Sequence, residues 1–240
     1  MWTIAQYQAT AFFSLRPASA TSTGGKTLLA PTPFAVKTAL LDAAIRTQGL
    51  AQGQALFPQL QALQIAVQLP ERVVVNNTFT RILRIKEIKT KANEKESAIA
   101  QAVAAGNWPY QHTIAFREYV YFGGPLGLAF QGMAQGTLLP LLAQVNYLGK
   151  RGGFMQLLAA PEEHTALPTG FTLLTQGWES TFPLGTLQIV DDWGAKLTFD
   201  HLDSYSDQAI RTGTQRIFHQ IVLPCRPIRS SRGYTLYERF

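Results

Sequence analysis

Arg81, Arg84, Lys86, Lys89, Lys91 and Lys95 crowd into one short stretch, opposed only by Glu87 and Glu94. Cations at that density suit a polyanion, and aromatic rings interleaved with them offer stacking surfaces for unpaired bases. Such rings follow at Trp108, Tyr110, Tyr119 and Tyr121, with Arg117 among them. A second group, Gly149-Lys150-Arg151-Gly152-Gly153, joins two cations to glycines that let main-chain amides approach a phosphate or a base, and Phe154 follows it. Both groups have plainer uses, since lysines protect a solvated strand edge and Gly149 suits a helix C-cap. Clustered cations beside aromatics favour nucleic-acid contact over a bare solvated edge.

Other chemistry is weaker. The run Ala20-Thr21-Ser22-Thr23-Gly24-Gly25-Lys26-Thr27 satisfies a relaxed phosphate-loop pattern with alanine in place of the first glycine. A phosphate loop runs directly into a helix whose N-terminal amides meet the phosphates, whereas here Pro31 and Pro33 deny that helix its start. Nucleotide hydrolysis is therefore not expected, and Lys26 is kept as a candidate contact for an RNA phosphate. Asp191-Asp192 and the group Asp200, His201, Asp203, Asp207 match no metal-binding loop and read as turn residues. His112, His164, His201 and His219 are scattered, and none adjoins a nucleophile in a readable triad. No catalytic residue, metal or cofactor is expected.

Composition sets the frame. A chain of 240 residues with 46% hydrophobic content can bury a full core, and its single cysteine, Cys225, rules out an internal disulfide framework. Lys and Arg total 21 against 15 Asp and Glu, a formal charge of +6 that favours a polyanionic partner. The sequence offers neither a secretory signal nor an apolar run long enough to span a bilayer, so a cytoplasmic protein is expected.

The elements that must position these groups can be read from periodicity. Residues 2–15 read as an opening strand and 16–32 as a Ser/Thr/Gly/Pro loop. Thr32 and Pro33 then start a helix that buries Val36, Leu40, Ala43 and Ala44, pairs Asp42 with Arg46 and stops at Gly49. A short helix over 55–63 precedes a strand through Ile65, Val67 and Leu69. The two arms of a long hairpin span about 73–122, with Ile114, Phe116, Val120 and Phe122 on one face of the return arm and Thr113, Arg117, Tyr119 and Tyr121 on the other. Residues 93–106 form either a short helix or a disordered connection. An apolar helix over 137–145 leads into the basic glycine loop, and 154–158 re-enters a strand. Later strands are predicted over 171–176, 186–190, 196–199 and 216–223. This order is α+β, compatible with a ferredoxin-like core carrying a β-rich extension.

In their order, these features resemble the CRISPR-associated protein five family, within the repeat-associated mysterious protein superfamily. The resemblance is carried by the opening strand, by Leu29-Ala30-Pro31-Thr32-Pro33-Phe34-Ala35-Val36-Lys37 leading into Ala39-Leu40-Leu41-Asp42-Ala43-Ala44, by Phe116-Arg117-Glu118-Tyr119-Val120-Tyr121-Phe122, and by Tyr147-Leu148-Gly149-Lys150-Arg151-Gly152-Gly153-Phe154. It implies a ferredoxin-like, RNA-recognition-like domain over 1–160 with a hairpin thumb, followed by a β-rich C-terminal extension over 161–240. It also implies a place at the 5′ handle of a CRISPR RNA in a type I Cascade-like complex, beside backbone and large subunits, with target DNA engaged indirectly. Carried onto this chain, the thumb contacts fall on Arg81, Arg84, Lys86, Lys89, Lys91 and Arg117, and the glycine loop on Lys150 and Arg151. One subtype of the family cuts precursor RNA without metal, by tyrosine, lysine and histidine. Tyr110, Lys26 and His112 supply those types here, so an endoribonuclease is the alternative to a binding subunit, and a protein adaptor with incidental charge is a third.

Overall fold

The computed structural model describes residues 1–18, 20, 25–149, 152–178 and 181–240. In chain order its elements are β1 (Trp2–Ala9), α1 (Pro33–Gln48), α2 (Leu50–Ala62), β2 (Gln64–Gln68), β3 (Arg72–Ile85), α3 (Lys95–Ala104), β4 (Tyr110–Phe122), β5 (Leu126–Gln131), α4 (Gln135–Gln144), β6 (Met155–Leu157), β7 (Glu162–His164), β8 (Thr172–Leu173), β9 (Thr186–Trp193), α5 (Phe199–Leu202), β10 (Arg216–Leu223), β11 (Cys225–Ser230) and β12 (Tyr234–Arg239). The architecture is α+β with antiparallel sheets. One sheet runs β6-β1-β5-β2-β8 with β7 also on β1, a second pairs β9 with β10, and a third runs β11-β12-β3-β4.

Strand alternation gives the first sheet two buried faces. Ala5, Tyr7, Ile65, Val67, Leu128 and Phe130 point into the main core with α1, α2 and α4. Trp2, Ile4, Ala66 and Ala129 point the other way and are covered by Leu167, Phe171 and Leu173. Helix α1 forms where expected and for the expected reasons: Thr32 Oγ1 accepts the Ala35 N–H at 3.2 Å, Pro33 occupies the first turn, and Gly49 ends the helix at φ +90°.

Helix α1 also holds a feature that periodicity does not show. Lys37 is buried, its Nζ lying 2.8 Å from Asp192 Oδ1 on β9 and 3.0 Å from the Gln61 carbonyl oxygen. Burial lowers the lysine's proton affinity, and Asp192 opposes that shift. The pair ties the β9–β10 hairpin to the first helix.

The long hairpin β3–β4 is paired without interruption from Val73–Phe122 to Ile85–Tyr110. Val73, Val75, Val120 and Phe122 anchor its base in the core, and from residue 76 outward neither strand buries a side chain until Glu118 on the return. Strand β12 pairs with β3 over Arg72–Asn76, so the C-terminal hairpin widens that base.

Several expectations are corrected. The opening strand ends at Ala9, after which Phe13 leaves β1 and bridges Val120. The strand expected over 171–176 shrinks to Thr172–Leu173, and that over 196–199 gives way to a turn closed by Leu197 N–H on the Gly194 carbonyl and then to α5, because Thr198 and His201 form a capping box. Asp191 and Asp192 are buried strand residues, held by Arg216 and Lys37 rather than by a turn. Residues 93–106 contain α3, all of whose described side chains are solvent-accessible.

Removing one partner of a buried ion pair strands the other charge. Asp192→Ala should therefore lower the unfolding free energy by about 3–5 kcal/mol in urea titration, with partial recovery in Lys37→Met/Asp192→Leu. A loss under about 1 kcal/mol would show that the pair does not secure β9 to α1.

Candidate nucleic-acid interface

Directly opposed residues of an antiparallel pair point to the same side, so the β3–β4 register sorts the basic and aromatic residues between two faces. One face carries Thr78 opposite Arg117, Asn76 opposite Tyr119, Val74 opposite Tyr121, Thr80 opposite Ala115, and Arg84 opposite Gln111. Arg84, Arg117 and Tyr121 are exposed there and Tyr119 is half-buried. Phe12 packs on the same side, its ring centroid 6.4 Å from Tyr119 and 6.3 Å from Tyr121. Three rings thus gather beside Arg117, with a second cation, Arg84, about 20 Å farther out at the strand rise. The Thr78 hydroxyl donates to the Arg117 carbonyl oxygen at 2.7 Å, which holds the polar surface together across the strands.

The other face is continuous with the core at its base and apolar beyond it, with Phe79, Leu83, Ile85, Tyr110, Ile114 and Phe116. Arg81 belongs here, opposite Ile114, and His112 lies opposite Leu83. Arg81 and Arg84, three residues apart on a strand, therefore face opposite ways. Lys86, Lys89 and Lys91 follow β3 in the distal connection, where the Lys86 N–H donates to the Pro109 carbonyl oxygen beside Trp108.

Lys26 sits at the hairpin's base. Its Nζ lies 2.6 Å from Glu118 Oε1 and 5.9 Å from the Phe116 ring centroid, while Glu118 Oε2 accepts the Thr27 N–H at 3.0 Å. Gly25 accepts the Glu118 N–H on the outer edge of β4, and a Cβ at Gly25 would lie 1.9 Å from the Phe116 carbonyl oxygen. Only glycine fits there. The segment from Gly25 to Thr27 is a strap across the hairpin, and α1 starts at Pro33, well past the lysine. The remainder of the phosphate-loop match, residues 21–24, lies outside the described residues.

Gly149, at φ +73°, turns the chain after α4, and a Cβ there would press on Leu15 at 2.8 Å. Tyr147 bridges Phe154, which is half exposed. Lys150 and Arg151 lie outside the described residues. Beside this loop a cavity of about 320 Å³ is lined by Phe34, Thr38, Tyr147, Gly149, Asp191 and Arg216, among others. Arg216 Nε donates to Asp191 Oδ2 at 2.7 Å and its guanidinium stacks 4.8 Å from the Phe34 centroid, giving the cavity a flat cationic wall. Phe12, Phe34 and Arg216 are not among the contacts predicted from the sequence. The Phe12-Phe13 doublet was a usable signal, because adjacent strand residues serve opposite faces; Phe34 and Arg216 meet only through the fold.

Among the described residues no three His, Cys, Asp or Glu side chains stand together as a metal site, and no helix is long and apolar enough to cross a membrane.

No family model matches the chain. It is 28% identical over 139 residues to the CRISPR-associated protein Cas5 of Archaeoglobus fulgidus, an alignment covering 58% of this chain and 54% of that protein, so the chain spans about half the length of this curated relative. A crystal structure of a CRISPR protein from Archaeoglobus fulgidus aligns over 100% of this chain and 92% of its own, at 10% identity and a TM-score of 0.40.

Because Lys26 is held by Glu118, Lys26→Ala should lower stability by about 1 kcal/mol and leave no nucleotide phenotype. Thermal unfolding and equilibrium dialysis with ATP check this. Saturable ATP binding that disappears in the variant would contradict it.

Proposed function

We propose that this chain is a member of the CRISPR-associated protein Cas5 family and a non-catalytic RNA-binding subunit of a type I Cascade-like complex, a reading supported by its similarity to the Archaeoglobus fulgidus protein. It holds the 5′ handle of a CRISPR RNA and helps to assemble the backbone and large subunits, with target DNA reached indirectly. The observation that carries the reading is the polar face of β3–β4, where Phe12, Tyr119 and Tyr121 gather beside Arg117 and Arg84 continues the same face about 20 Å farther out. Rings that stack on bases, with cations to meet the phosphates, are what single-stranded RNA requires.

The strand order supports a ferredoxin-like core. Strand, helices, strand, strand, helix, strand with the outer strand β6 beside β1, then β5, then β2, is that fold's arrangement, and β3–β4 is then a thumb inserted between its second and third strands. RNA-recognition sheets stack bases on their open face. Here Leu167, Phe171 and Leu173 cover the face opposite the main helices, which leaves RNA contact to the thumb and to the glycine loop with its neighbouring cavity.

Binding is favoured over cleavage by the placement of the available acid and base types. Lys26 is bound to Glu118, while Tyr110 and His112 stand six to eight residues farther out on the same strand, about 20 Å or more from that carboxylate. Metal-free cleavage needs its base and its cation at one phosphate.

Arg84→Ala and Arg117→Ala should each weaken RNA binding and flatten its salt dependence by roughly 0.7 of a log unit per lost phosphate contact, with Arg46→Ala on α1 unchanged as control. Tyr119→Ala should cost about 1–3 kcal/mol of affinity at unaltered salt slope. Identical slopes for the hairpin and control variants would remove RNA from this face.

The isolated chain should leave labelled repeat RNA intact in EDTA. Specific cleavage that is lost in His112→Ala would establish the endoribonuclease instead.

A further inference from the structure

The outer part of the hairpin's apolar face is left without a role by RNA binding. Phe79, Leu83, Ile85, Tyr110 and Ile114 are 65%, 60%, 69%, 56% and 74% exposed, and the register lines them on one side over about 20 Å. Isolated exposed apolar residues are ordinary, but a contiguous stripe on a projection with no core beneath it marks a surface that is buried in an assembly.

The chemistry of the stripe selects its occupant. Three of the five residues are aliphatic, and the rings of Phe79 and Phe116 are tilted against one another at 5.1 Å rather than laid open for a base. A phosphate strand laid here would set Leu83, Ile85 and Ile114 against charge and find one arginine, Arg81, and one histidine, His112. An arginine framed by apolar side chains is instead the pattern of a protein interface centre, where it pairs with a carboxylate. A second copy is the wrong partner. Stripe against stripe would oppose two hairpins that each carry, over residues 72–122, eight Lys and Arg against four Glu.

We infer that this stripe docks a different protein, one presenting an apolar surface with a carboxylate opposite Arg81, so that the hairpin is held between RNA on one face and protein on the other. The inference rests on the reading of the chain as an RNA-holding subunit, and it adds the surface and the chemistry of its protein contact.

The test co-expresses the full chain with the effector subunits encoded beside it and with repeat RNA, and compares wild type with Leu83→Ser/Ile114→Ser and with Arg81→Glu. These side chains are exposed, so both variants should melt with the wild type by circular dichroism. Each should recover at least tenfold less of the protein subunits, while the isolated double variant keeps wild-type RNA affinity and salt slope. Undiminished recovery of subunits by the folded variants overturns the inference, as does a wild type that recovers none. Loss of RNA affinity in the isolated double variant would assign the stripe to RNA, and a stripe-dependent dimer in light scattering would assign it to a second copy; either overturns it. A wild-type chain without RNA affinity that still recovers subunits through the stripe would end the RNA-holding reading and leave the docking surface standing.

Discussion

The unbroken pairing of β3 with β4 is the constraint on which the rest of this molecule depends. Side chains alternate along a strand, so a register that holds from Val73–Phe122 to Ile85–Tyr110 determines which residues share a face at every level of the hairpin. A slip of one residue in β4 would turn Val120 and Phe122 out of the core and bring Tyr119 and Tyr121 into it. Burial at the base thereby selects the side on which Tyr119 and Tyr121 stand beside the core and Arg117 and Arg84 are presented beyond it.

That register is defended where leverage is greatest. The outer edge of β4 is closed at its base by Phe13, which exchanges hydrogen bonds with Val120, and by Gly25, which accepts from Glu118. On the other side, β12 pairs with β3 over the same levels. Glu118 is the hub of this region, since its carboxylate holds Lys26 and the Thr27 N–H while its backbone holds the strap and Ser14. A hairpin that projects beyond the core gains rigidity from covered edges at its root.

Much of this was legible in order and little of it in depth. The helix starting at Thr32 and Pro33 was readable because cap, proline and apolar spacing agree. The hairpin arms were readable from alternation, including Arg117, Tyr119 and Tyr121 on one side and Phe116, Val120 and Phe122 on the other. Alternation assigns a side, however, and not a burial: Ile114 shares parity with Phe122, yet it stands 74% exposed because the core ends before it. Asp192 reads as a turn residue in the sequence and its pairing with Lys37 is not legible there, because a lysine in a helix and an aspartate pair resemble a solvated face and a turn until a distant segment brings them together. The same holds for Arg226 and Arg229, which lie on β11 of a hairpin paired through β12 to the base of β3.

The central claim, that the chain holds a CRISPR RNA by its 5′ handle, is met most directly by sequencing the RNA that purifies with it. Co-expressed with its neighbouring subunits and repeat RNA, the full chain should carry a discrete RNA whose 5′ end falls at one position within the repeat. RNA with scattered 5′ ends drawn from cellular transcripts, or no RNA at all, would contradict the account.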